Sequence, residues 1–499
     1  MRYLPNGAWM QKADAYTIQE IGIPSIVLME HAAIKTVEVM EQCGIDTSAS
    51  LIVCGSGNNG GDGFAVARLL WQKGKKVMVL FVGREGAMSE ECKVQARAAK
   101  NLGIPIVTAF PGETFTVVID AIFGVGLNRE VRGNYVELIE KLNVLDGAKV
   151  AVDIPSGIHS ETGQVLGIAF RADVTVSFQC EKLGTVFFPG KEYAGNVVVP
   201  SIGILTSGYE KQKDICYTLE KNDIGKMLPK RKANSHKGTY GKVLMITGGA
   251  GMAGAAYLSA KAAYIAGAGL VRIYTPEVNR AILQQLLPEA VLSTYQTSNE
   301  HSLAEALEWA DVVCMGCGLG QSQVSEAMVE YVMNNCQVPC VIDADGLNLL
   351  SCRIDLLKKA EFPIIITPHM KEMSGLTGNS VGELQKNRMS VLKTFTKEYP
   401  VICVLKDART VVYSEEKHPF VNTAGNQAMA KAGSGDVLAG TITGLLGGHM
   451  APYEAAILGV YLHACGGDLA KEAQGSYSVL AEDLIREIGN CMKKAEEER

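Results

Sequence analysis

Short apolar runs rich in valine, isoleucine and leucine alternate along the first 205 residues with segments in which apolar residues recur at helical spacing. The apolar runs predict β-strands at 51–54, 77–82, 117–120, 149–153, 174–178 and 196–199. The periodic segments predict helices at 62–72, 89–101 and 135–142, preceded by a helical stretch over 9–42 that breaks near Pro24. Strands alternating with helices are typical of a parallel sheet covered on both faces, so this part predicts a doubly wound α/β domain.

The alternation lapses over 207–238, a polar and lysine-rich stretch that contains Pro229, and then resumes. The second series predicts strands at 242–247, 270–274, 311–315, 340–343, 364–367, 401–405 and 410–413. It predicts helices at 253–266, 436–446 and 453–474. We therefore expect a second doubly wound α/β domain, with domains at 1–210 and 237–499 joined by a linker at 211–236.

The composition fits a folded protein with well-filled cores, because 47% of the 499 residues are hydrophobic and 20% are charged. The 47 Lys and Arg against 53 Asp and Glu give a net charge of −6, so no basic field is present to attract nucleic acid or an anionic membrane. The sequence shows neither an apolar run of ~20 residues nor a signal peptide. These features predict a cytoplasmic protein with no nucleic-acid or membrane partner.

Most of the 13 cysteines lie in apolar segments, which fits reduced buried thiols better than a disulfide framework. Cys314 and Cys317 form a CxxC pair, and Cys336 and Cys340 follow about twenty residues later, a spacing that superficially suggests zinc. Cys314 and Cys340 belong to separate predicted strands, and parallel strands would not bring four sulfurs to one ion. We therefore expect no zinc site.

Glycine is unusually abundant, with 53 residues, and it clusters where predicted strands run into helices. The segments 55–60 and 249–254 both match G-x-G-x-x-G at such a position, which suggests dinucleotide binding with a pyrophosphate at the helix N-terminus. The pattern is weak, because any tight strand-to-helix turn needs glycine. An ordinary NAD dehydrogenase would also not obviously need two such domains.

Oxygen-bearing side chains gather after three predicted strands of the first domain. Asn58, Asn59 and Asp62 follow the first strand, while Asp120 and Asp153 end two others. Carboxyl ends of strands border the ligand crevice of an open α/β sheet, so these residues predict a site. Asp62 would equally serve as a helix cap. Amide and carboxylate oxygens suit a hard cation and not a soft metal.

Three motifs of this domain resemble the epimerase domain of the NAD(P)H-hydrate repair enzymes: Asn-Asn-Gly-Gly-Asp-Gly at 58–63, Asp-Ala-Ile-Phe-Gly-Val-Gly at 120–126 and Asp-Ile-Pro-Ser-Gly at 153–157. The motif Met-Glu-His-Ala-Ala at 29–33 precedes them, with Ala33 where the family often has glycine. The resemblance covers nearly all of residues 1–210. It implies an enzyme that interconverts the R and S epimers of hydrated NADH and NADPH, termed NADHX and NADPHX.

The resemblance also implies which residues form the epimerase site. It implies that Asp153 is a catalytic residue in the pocket. It implies a potassium ion, K⁺, near Asn59, Asp120 and Ser156. The residues implied to contact the hydrate are Asn58, Asn59, Gly60, Gly61, Asp62, Gly124, Val125, Gly126, Leu127, Asn128, Arg129, Glu130 and Asp153.

In the second domain, small residues fill the segment 422–436, which leads into a predicted helix with Asp436 in its first turn. Backbone N–H groups at such a terminus can hold an anion, and the helix dipole favours an acid there by ~0.3–1 kcal/mol. Asp436 alone would equally fit an N-cap. The order Gly-Ser-Gly-Asp at 433–436 resembles the anion hole and catalytic base of ribokinase-like kinases, in which the aspartate deprotonates a hydroxyl during phosphoryl transfer.

Further segments narrow this resemblance to the dehydratase half of the same repair system, and they lie at 237–241, 252–256, 367–373 and 406–410. The family patterns usually read Pro-His-Pro-x-Glu and Lys-Gly-x-x-Thr. Met370 and Asp407 depart from these patterns, and Ala428 and Ala432 stand where the family often has glycine.

The dehydratase resemblance implies Asp436 as the catalytic base. It implies a substrate site formed by Ala255, Gly320, His369 and Asp436. It also implies that ADP, with Mg²⁺ on its phosphates, is bound by Lys406, Asp407, Ala408, Arg409, Thr410 and Gly435.

The two resemblances together imply one bifunctional chain with a Rossmann-like and a ribokinase-like sheet. Its first domain equilibrates the epimers, and its second removes water from the S form with the help of a nucleotide. ADP is the expected donor, because family members with both domains on one chain generally resemble the ADP-dependent dehydratase. The expected partners are NADHX, NADPHX, ADP and further copies of the chain in a homo-oligomer. The alternative is a ribokinase-like small-molecule kinase fused to a non-catalytic, ligand-binding Rossmann-like module.

Overall fold

The computed structural model describes residues 1–208, 214–297 and 300–499. These residues form two compact units. The N-terminal unit is Tyr3–Cys216, and the C-terminal unit combines Met1–Arg2 with Tyr217–Arg499.

The strands in the first 200 residues, all of which the structure describes, are β1 (Arg2–Leu4), β2 (Ala49–Cys54), β3 (Lys76–Phe81), β4 (Ile106–Val107), β5 (Val117–Ala121), β6 (Ala148–Val152), β7 (Val174–Val176) and β8 (Asn196–Val198). Strands β2 to β8 form a parallel sheet in the order β4-β3-β2-β5-β6-β7-β8. The strand order reverses between β2 and β5, as in a doubly wound fold. The predicted fold class of this part is confirmed.

The helices of the N-terminal unit lie between these strands, and they are α1 (Gly7–Ala15), α2 (Ser25–Gln42), α3 (Asn58–Gln72), α4 (Glu90–Asn101), α5 (Asn134–Val144), α6 (Leu183–Val186) and α7 (Gly190–Ala194). The helical stretch predicted over 9–42 divides at Pro24, which directly precedes α2. A proline is tolerated there because the first N–H groups of a helix have no partner inside it.

The central strands read as unbroken apolar runs because the sheet is covered on both faces. Successive residues of β2 point to opposite sides: Ile52 joins the core that contains α2, α3 and α4, and Val53 joins the core that contains α5. The loops after β2 and β5 touch closely, since a Cβ on Gly55 would lie 2.1 Å from the carbonyl oxygen of Ile122. This contact holds together the two loops that border the site described below.

The strands of the C-terminal unit are β9 (Cys216–Thr218), β10 (Lys242–Ile246), β11 (Leu270–Pro276), β12 (Val291–Tyr295), β13 (Val312–Met315), β14 (Cys340–Ile342), β15 (Ile364–Ile366), β16 (Val401–Leu405), β17 (Val411–Tyr413) and β18 (Phe420–Val421). Over the described residues the sheet order is β1-β9-β18-β17-β16-β15-β14-β13-β10-β11-β12. Strands β10 to β16 pair in parallel, whereas β17 runs antiparallel to both β16 and β18. This is the second predicted α/β sheet, with an antiparallel extension.

The helices of this unit are α8 (Lys221–Met227), α9 (Ala253–Ile265), α10 (Arg280–Leu286), α11 (Glu300–Trp309), α12 (Gln323–Asn335), α13 (Asp345–Ser351), α14 (Leu356–Lys359), α15 (Met370–Thr377), α16 (Val381–Glu398), α17 (Ser434–Gly447), α18 (Pro452–Gln474) and α19 (Ala481–Glu497). Helices α17 and α9 touch backbone to backbone. A Cβ on Gly440 would lie 2.1 Å from the carbonyl oxygen of Ser259. This close packing fixes the axis of α17 and therefore the position of its N-terminus.

The stretch predicted as a linker, 211–236, contains β9 and α8, and α8 packs against α18 and α19. Residues 211–213 of that stretch lie outside the described part of the chain, and the domain limits stay a prediction. In the part of the chain that the structure describes, none of the helices combines the length and the apolar character that crossing a bilayer would need.

Candidate active sites

A cavity of about 750 Å³ lies where strands β2, β5 and β6 of the N-terminal unit end. The first turn of α3 lines it from one side, the loop after β5 lines it from another, and Asp153 follows β6 directly. The structure thus brings together most of the residues predicted to bind the hydrate, namely Asn58, Asn59, Asp62, Gly124, Val125, Gly126, Leu127, Asn128, Arg129 and Asp153.

Three of the predicted binding residues lie outside the lining of this cavity, although the structure describes all of them. Gly60 and Gly61 serve close packing, because a Cβ would lie 2.0 Å from the carbonyl oxygen of Gly55 in the first case and 2.6 Å from the Met29 side chain in the second. Glu130 is exposed and pairs with Arg132. Their roles in binding remain predictions.

Asp120 and Ser156 form a buried hydrogen-bonded pair next to the cavity lining. The Ser156 hydroxyl donates to Asp120 Oδ1 at 2.6 Å, its backbone N–H donates to Oδ2 at 2.7 Å, and the Phe123 N–H donates to Ser156 Oγ at 2.9 Å. Burial raises the pKa of Asp120 to about 6, although the hydrogen bonds from Ser156 and Ile122 lower it. Among the described residues no cationic side chain pairs with Asp120, and the buried Asn59 Nδ2 has no hydrogen-bond partner.

The carboxylate of Asp153 is anchored through one of its oxygens. Its Oδ1 accepts hydrogen bonds from the Lys182 ammonium and from the Phe178 N–H, the latter at 3.1 Å. The Lys182 side chain is 1% exposed. No motif pointed to Lys182, because an isolated lysine in a sequence is usually a solvated surface residue.

In the C-terminal unit, ionisable side chains gather at the carboxyl ends of strands β13 to β16. Cys317, Asp343, Lys406 and Asp436 meet there, and we call these four residues the Asp436 cluster. Lys406 Nζ donates to Asp343 Oδ1 at 2.6 Å. The Cys317 Sγ and one carboxylate oxygen each of Asp343 and Asp436 all lie within 4.8 Å of one another. A Cβ on Gly435 would lie 3.5 Å from Lys406 Nζ. The predicted base and two of the predicted ADP-binding residues are therefore neighbours.

The environment of Asp436 gives it the pKa of a base that works near neutral pH. Burial raises this pKa to about 7, and the negative charge of Asp343 acts in the same direction. The hydrogen bond from Cys317 and the positive charge of Lys406 oppose the shift. At pH 7 Asp436 is therefore poised between its charged and neutral forms.

The N-terminus of α17 lies in the same region. Gly433 precedes the helix with a φ of +87°, a left-handed conformation that favours glycine. His463 Nε2 lies 3.2 Å from Ser434 Oγ, and burial lowers the pKa of His463 to about 4, so the imidazole is neutral at pH 7. The helix terminus, with its free N–H groups, is suited to an anion.

His369 begins the turn between β15 and α15. Its Nδ1 accepts hydrogen bonds from two backbone N–H groups of α15, each at 3.1 Å, and its own N–H donates to Glu372 at 2.7 Å. This capping box orders the turn, although Met370 stands where the family usually has proline. The Lys406 N–H donates to the Pro368 carbonyl at 2.8 Å, so the turn and the predicted ADP loop run side by side.

Ala255 and Gly320 belong to neighbouring segments of the same unit. A Cβ on Gly318 would lie 2.7 Å from the Ala255 Cβ, so the loop after β13 packs directly on α9. The Gly320 N–H donates to Asp345 Oδ2 at 2.8 Å, which ties this loop to the start of α13. Ala255 therefore lies in the first turn of α9, which follows β10, and Gly320 lies on the loop after β13.

Asp407, where the family usually has glycine, directs its carboxylate toward a buried arginine. Arg388 of α16 is 4% exposed, and its Nη1 donates to Asp407 Oδ2 at 3.0 Å. The other carboxylate oxygen accepts from the Ala408 N–H at 2.8 Å. Thr410 Oγ1 donates to the Asp407 carbonyl at 3.2 Å, and Arg409 Nη1 donates to the Ala408 carbonyl at 3.4 Å. The negative charge of Asp407 thus has a guanidinium partner within the fold of the loop.

Sequence reasoning missed Asp343 and gave no site role to Glu372, although Glu372 belongs to the 367–373 segment. Both carboxylates face Lys406. Glu372 Oε2 lies 3.9 Å from Lys406 Nζ. Burial lowers the pKa of Lys406, but these two carboxylates outweigh burial and leave the pKa above the ordinary lysine value. Asp343 lies at the carboxyl end of its strand, as Asp120 and Asp153 lie at the ends of theirs, so the rule that selected those two aspartates also selects Asp343.

The chain matches two known protein families. Residues 243–490 match the family described as NAD(P)H-hydrate dehydratase. Residues 25–184 match the family described as YjeF-related protein N-terminus. The first span contains the whole Asp436 cluster, and the second contains Asn59, Asp120 and Asp153.

Individual relatives extend this match to nearly the full chain. The bifunctional NAD(P)H-hydrate repair enzyme Nnr of Moorella thermoacetica is 35% identical, over 99% of this chain and 98% of its own length. The crystal structure of a ribokinase-like superfamily protein from Enterococcus faecalis V583 is 28% identical, covers 56% of this chain and 96% of its own, and has a TM-score of 0.50. An ADP/ATP-dependent NAD(P)H-hydrate dehydratase from Bacillus subtilis, co-crystallised with ATP/Mg²⁺, is 31% identical over 55% of this chain and 97% of its own, with a TM-score of 0.49.

The structural match confirms the predicted ribokinase-like fold of the C-terminal unit. The full-length match favours the two repair activities over a small-molecule kinase fused to a non-catalytic module. The chain belongs to the family of bifunctional NAD(P)H-hydrate repair enzymes, which join an NAD(P)HX epimerase to an NAD(P)H-hydrate dehydratase.

Proposed function

We propose that the Asp436 cluster dehydrates S-NADHX and S-NADPHX by phosphoryl transfer from ADP, while the N-terminal cavity supplies the S epimer. One observation carries this proposal: Asp436, whose pKa is raised to about 7 by burial, lies beside Lys406 and in the first turn of α17. The base that would remove a hydroxyl proton therefore lies next to two groups that can stabilise a phosphoryl group, namely the Lys406 ammonium and the N-terminus of α17. This is the pair of functions that phosphoryl transfer requires.

The dehydration chemistry follows from the position of the added water. Hydration leaves a hydroxyl group on C6 of the nicotinamide ring, and hydroxide is a poor leaving group. Asp436 accepts the hydroxyl proton as the oxygen bonds to the β-phosphorus of ADP, and the bond from that phosphorus to the bridging oxygen breaks to release AMP. The phosphate then leaves C6 with its bonding electrons while C5 loses a proton, which restores the C5–C6 double bond.

The remaining residues of the C-terminal site bind and orient the two substrates. In this proposal Lys406, Gly435 and the loop 407–410 hold the nucleotide, and Ala255, Gly320 and His369 hold the hydrate. Mg²⁺ fits this site as a partner of the nucleotide phosphates, where it supplies positive charge to the transferred group. Lys406 already neutralises Asp343 at 2.6 Å, so we assign the ion to the phosphates and not to a protein cage.

The epimerase reaction has to invert C6, which carries both the hydroxyl group and the ring nitrogen N1. We assign Asp153 as the acceptor of the hydroxyl proton. Loss of that proton forms a carbonyl group at C6 as the C6–N1 bond breaks, and N1 keeps the electron pair. Asp62, whose pKa is raised well above its ordinary value by burial and by the charge of Asp153, supplies a proton to N1. Rotation of the opened chain and reversal of these steps give the other epimer.

The pair Asp120–Ser156, together with Asn59, fits a K⁺ ion. The buried carboxylate of Asp120 has no cationic partner among the described residues, and a buried charge is costly unless it is balanced. The side-chain oxygens of these three residues are the donors that a hard cation prefers. A bound K⁺ would supply positive charge next to the cavity, which Asn59 lines.

We predict that the dehydration rate follows the titration of Asp436. A base must be deprotonated to work, and the pKa of Asp436 is raised to about 7, so kcat should rise about tenfold between pH 6 and pH 8. Asp436→Asn should lower kcat by ~10²–10⁴ and remove this pH dependence. The measurement is NADH recovery at 340 nm from S-NADHX at saturating nucleotide. Epimer interconversion by the same protein sample controls for folding, and a variant that dehydrates at the wild-type rate would refute the assignment.

We predict that the epimerase depends on K⁺ through Asp120. Conversion of R-NADHX to S-NADHX, followed chromatographically without nucleotide, should be at least tenfold faster in KCl than in choline chloride of equal ionic strength. Asp120→Asn should remove the difference, because it removes the charge that the ion balances. The control is Asp173→Asn, which alters an acid outside the cavity lining. Equal wild-type rates in the two salts would contradict the proposal.

We predict that ADP is the better phosphoryl donor. The comparison uses ADP and ATP, each enzymatically freed of the other, in the NADH-recovery assay with Mg²⁺. We expect at least tenfold higher kcat/KM with ADP, and the same preference in a control variant of the exposed acid, Glu415→Gln. A tenfold preference for ATP would exclude ADP as the physiological donor and leave the dehydratase activity unaffected.

A further inference from the structure

Lys182 is a buried lysine at the edge of the N-terminal cavity, in the loop between β7 and α6. Its side chain is 1% exposed, and its Nζ donates to Asp153 Oδ1 and to the Phe178 carbonyl, the latter at 2.8 Å. Burial of an ammonium group is unfavourable unless its charge is matched. The carboxylate of Asp153 matches it, so the two charges belong to one buried pair.

The backbone of Asp153 adopts a conformation that is unfavourable for a residue with a Cβ. Its φ is +67°, in the left-handed region, and its N–H donates to the Val176 carbonyl at 2.9 Å. Non-glycine residues in this region concentrate at functional sites, where the surrounding structure holds them in place. Here the turn at the end of β6 sets the carboxylate against the cavity.

The two oxygens of this carboxylate have different surroundings. Oδ1 accepts both the Lys182 ammonium and the Phe178 N–H. Oδ2 accepts no hydrogen bond from any described residue. Because two donors converge on Oδ1, rotation of the carboxylate is restricted, and Oδ2 is the oxygen left for a ligand.

Several charged groups face this pair across the cavity. Asp14 comes from α1, Asp62 from α3 and Glu91 from α4, while Arg129 comes from the loop after β5. The pKa values of Asp14 and Asp62 are raised by burial and by the charge of Asp153. Acids therefore outnumber cations around Asp153, and Lys182 is the cation in direct contact with it.

We propose that Lys182 is a positioning residue of the epimerase, which holds Asp153 by Oδ1 and leaves Oδ2 free to accept the C6 hydroxyl proton. The inference rests on the role proposed above for Asp153. Lys182 acts through Asp153, since its Nζ is already engaged by Asp153 Oδ1 and the Phe178 carbonyl.

The test compares Lys182→Met, which keeps the length of the side chain without its charge, with Lys182→Arg, which keeps the charge. Epimerisation of R-NADHX is measured without nucleotide as kcat, KM and their pH dependence. Lys182→Met should lower kcat at least tenfold with less than a threefold change in KM. It should also move the acidic limb of the pH profile at least one pH unit upward, because a carboxylate without its cation is protonated more easily. Lys182→Arg should keep the wild-type acidic limb.

The matched control is Lys149→Met, which removes a lysine whose Nζ donates to the Leu145 carbonyl in the same unit. It should leave kcat and the pH profile unchanged. Dehydratase activity of each variant, measured on S-NADHX with nucleotide, reports on the integrity of the rest of the chain.

Lys182→Met alone leaves the charge of Asp153 without its partner and could fail to fold. The double variant, Lys182→Met with Asp153→Asn, removes both buried charges, so a double-mutant cycle still tests the proposal. If Lys182 acts through Asp153, the double variant should epimerise no more slowly than Asp153→Asn alone. Additive losses, or a wild-type kcat and pH profile for a folded Lys182→Met, would overturn the positioning role alone. A fully active Asp153→Asn variant would instead overturn the proposed epimerase chemistry itself.

Discussion

A carboxylate buried at the end of a parallel strand has to be balanced by positive charge, and both units of this chain depend on how that is done. In the N-terminal unit the Lys182 ammonium binds one oxygen of Asp153. In the C-terminal unit Lys406 binds Asp343 at 2.6 Å. Asp120 has no ammonium or guanidinium partner among the described residues, and it is the position at which we propose K⁺. At Asp153 the pairing also leaves Oδ2 without a hydrogen-bond donor among the described residues, so charge balance and site geometry are linked there.

The balance between burial and nearby charges also sets the pKa of the proposed base Asp436. Asp436 reaches a pKa of about 7 because burial and Asp343 raise it while Cys317 and Lys406 restrain it. A carboxylate with the ordinary pKa would be a weaker proton acceptor, and one buried without Lys406 would be protonated at neutral pH. In both proposed reactions a carboxylate removes the proton of the same C6 hydroxyl group. In this proposal the two units therefore use the same type of base on the same hydroxyl group, although their sheets differ.

The hydrophobic pattern predicted both sheets because their central strands are buried on both faces and form unbroken apolar runs. It missed β1 and β9, which have three residues each, β4 and β18, which have two residues each, and β12, whose residues are partly exposed. The glycine and aspartate motifs indicated both candidate sites because the residues of each motif are close together in the sequence. Lys182 and Arg388 were missed because each meets its aspartate only through the fold, across 29 and 19 residues of sequence. The homo-oligomer and the cytoplasmic location stay predictions from sequence.

The central claim is that two independent sites on one chain complete the repair together, and complementation in trans tests it most directly. An equal mixture of R-NADHX and S-NADHX is supplied with ADP and Mg²⁺, and NADH is measured at 340 nm before spontaneous epimerisation contributes. Asp153→Asn should recover NADH only from the S epimer, and Asp436→Asn should recover none. The two variants mixed should recover both epimers completely. Recovery from the R epimer by Asp153→Asn alone, or failure of the mixture to exceed that variant, would contradict the account.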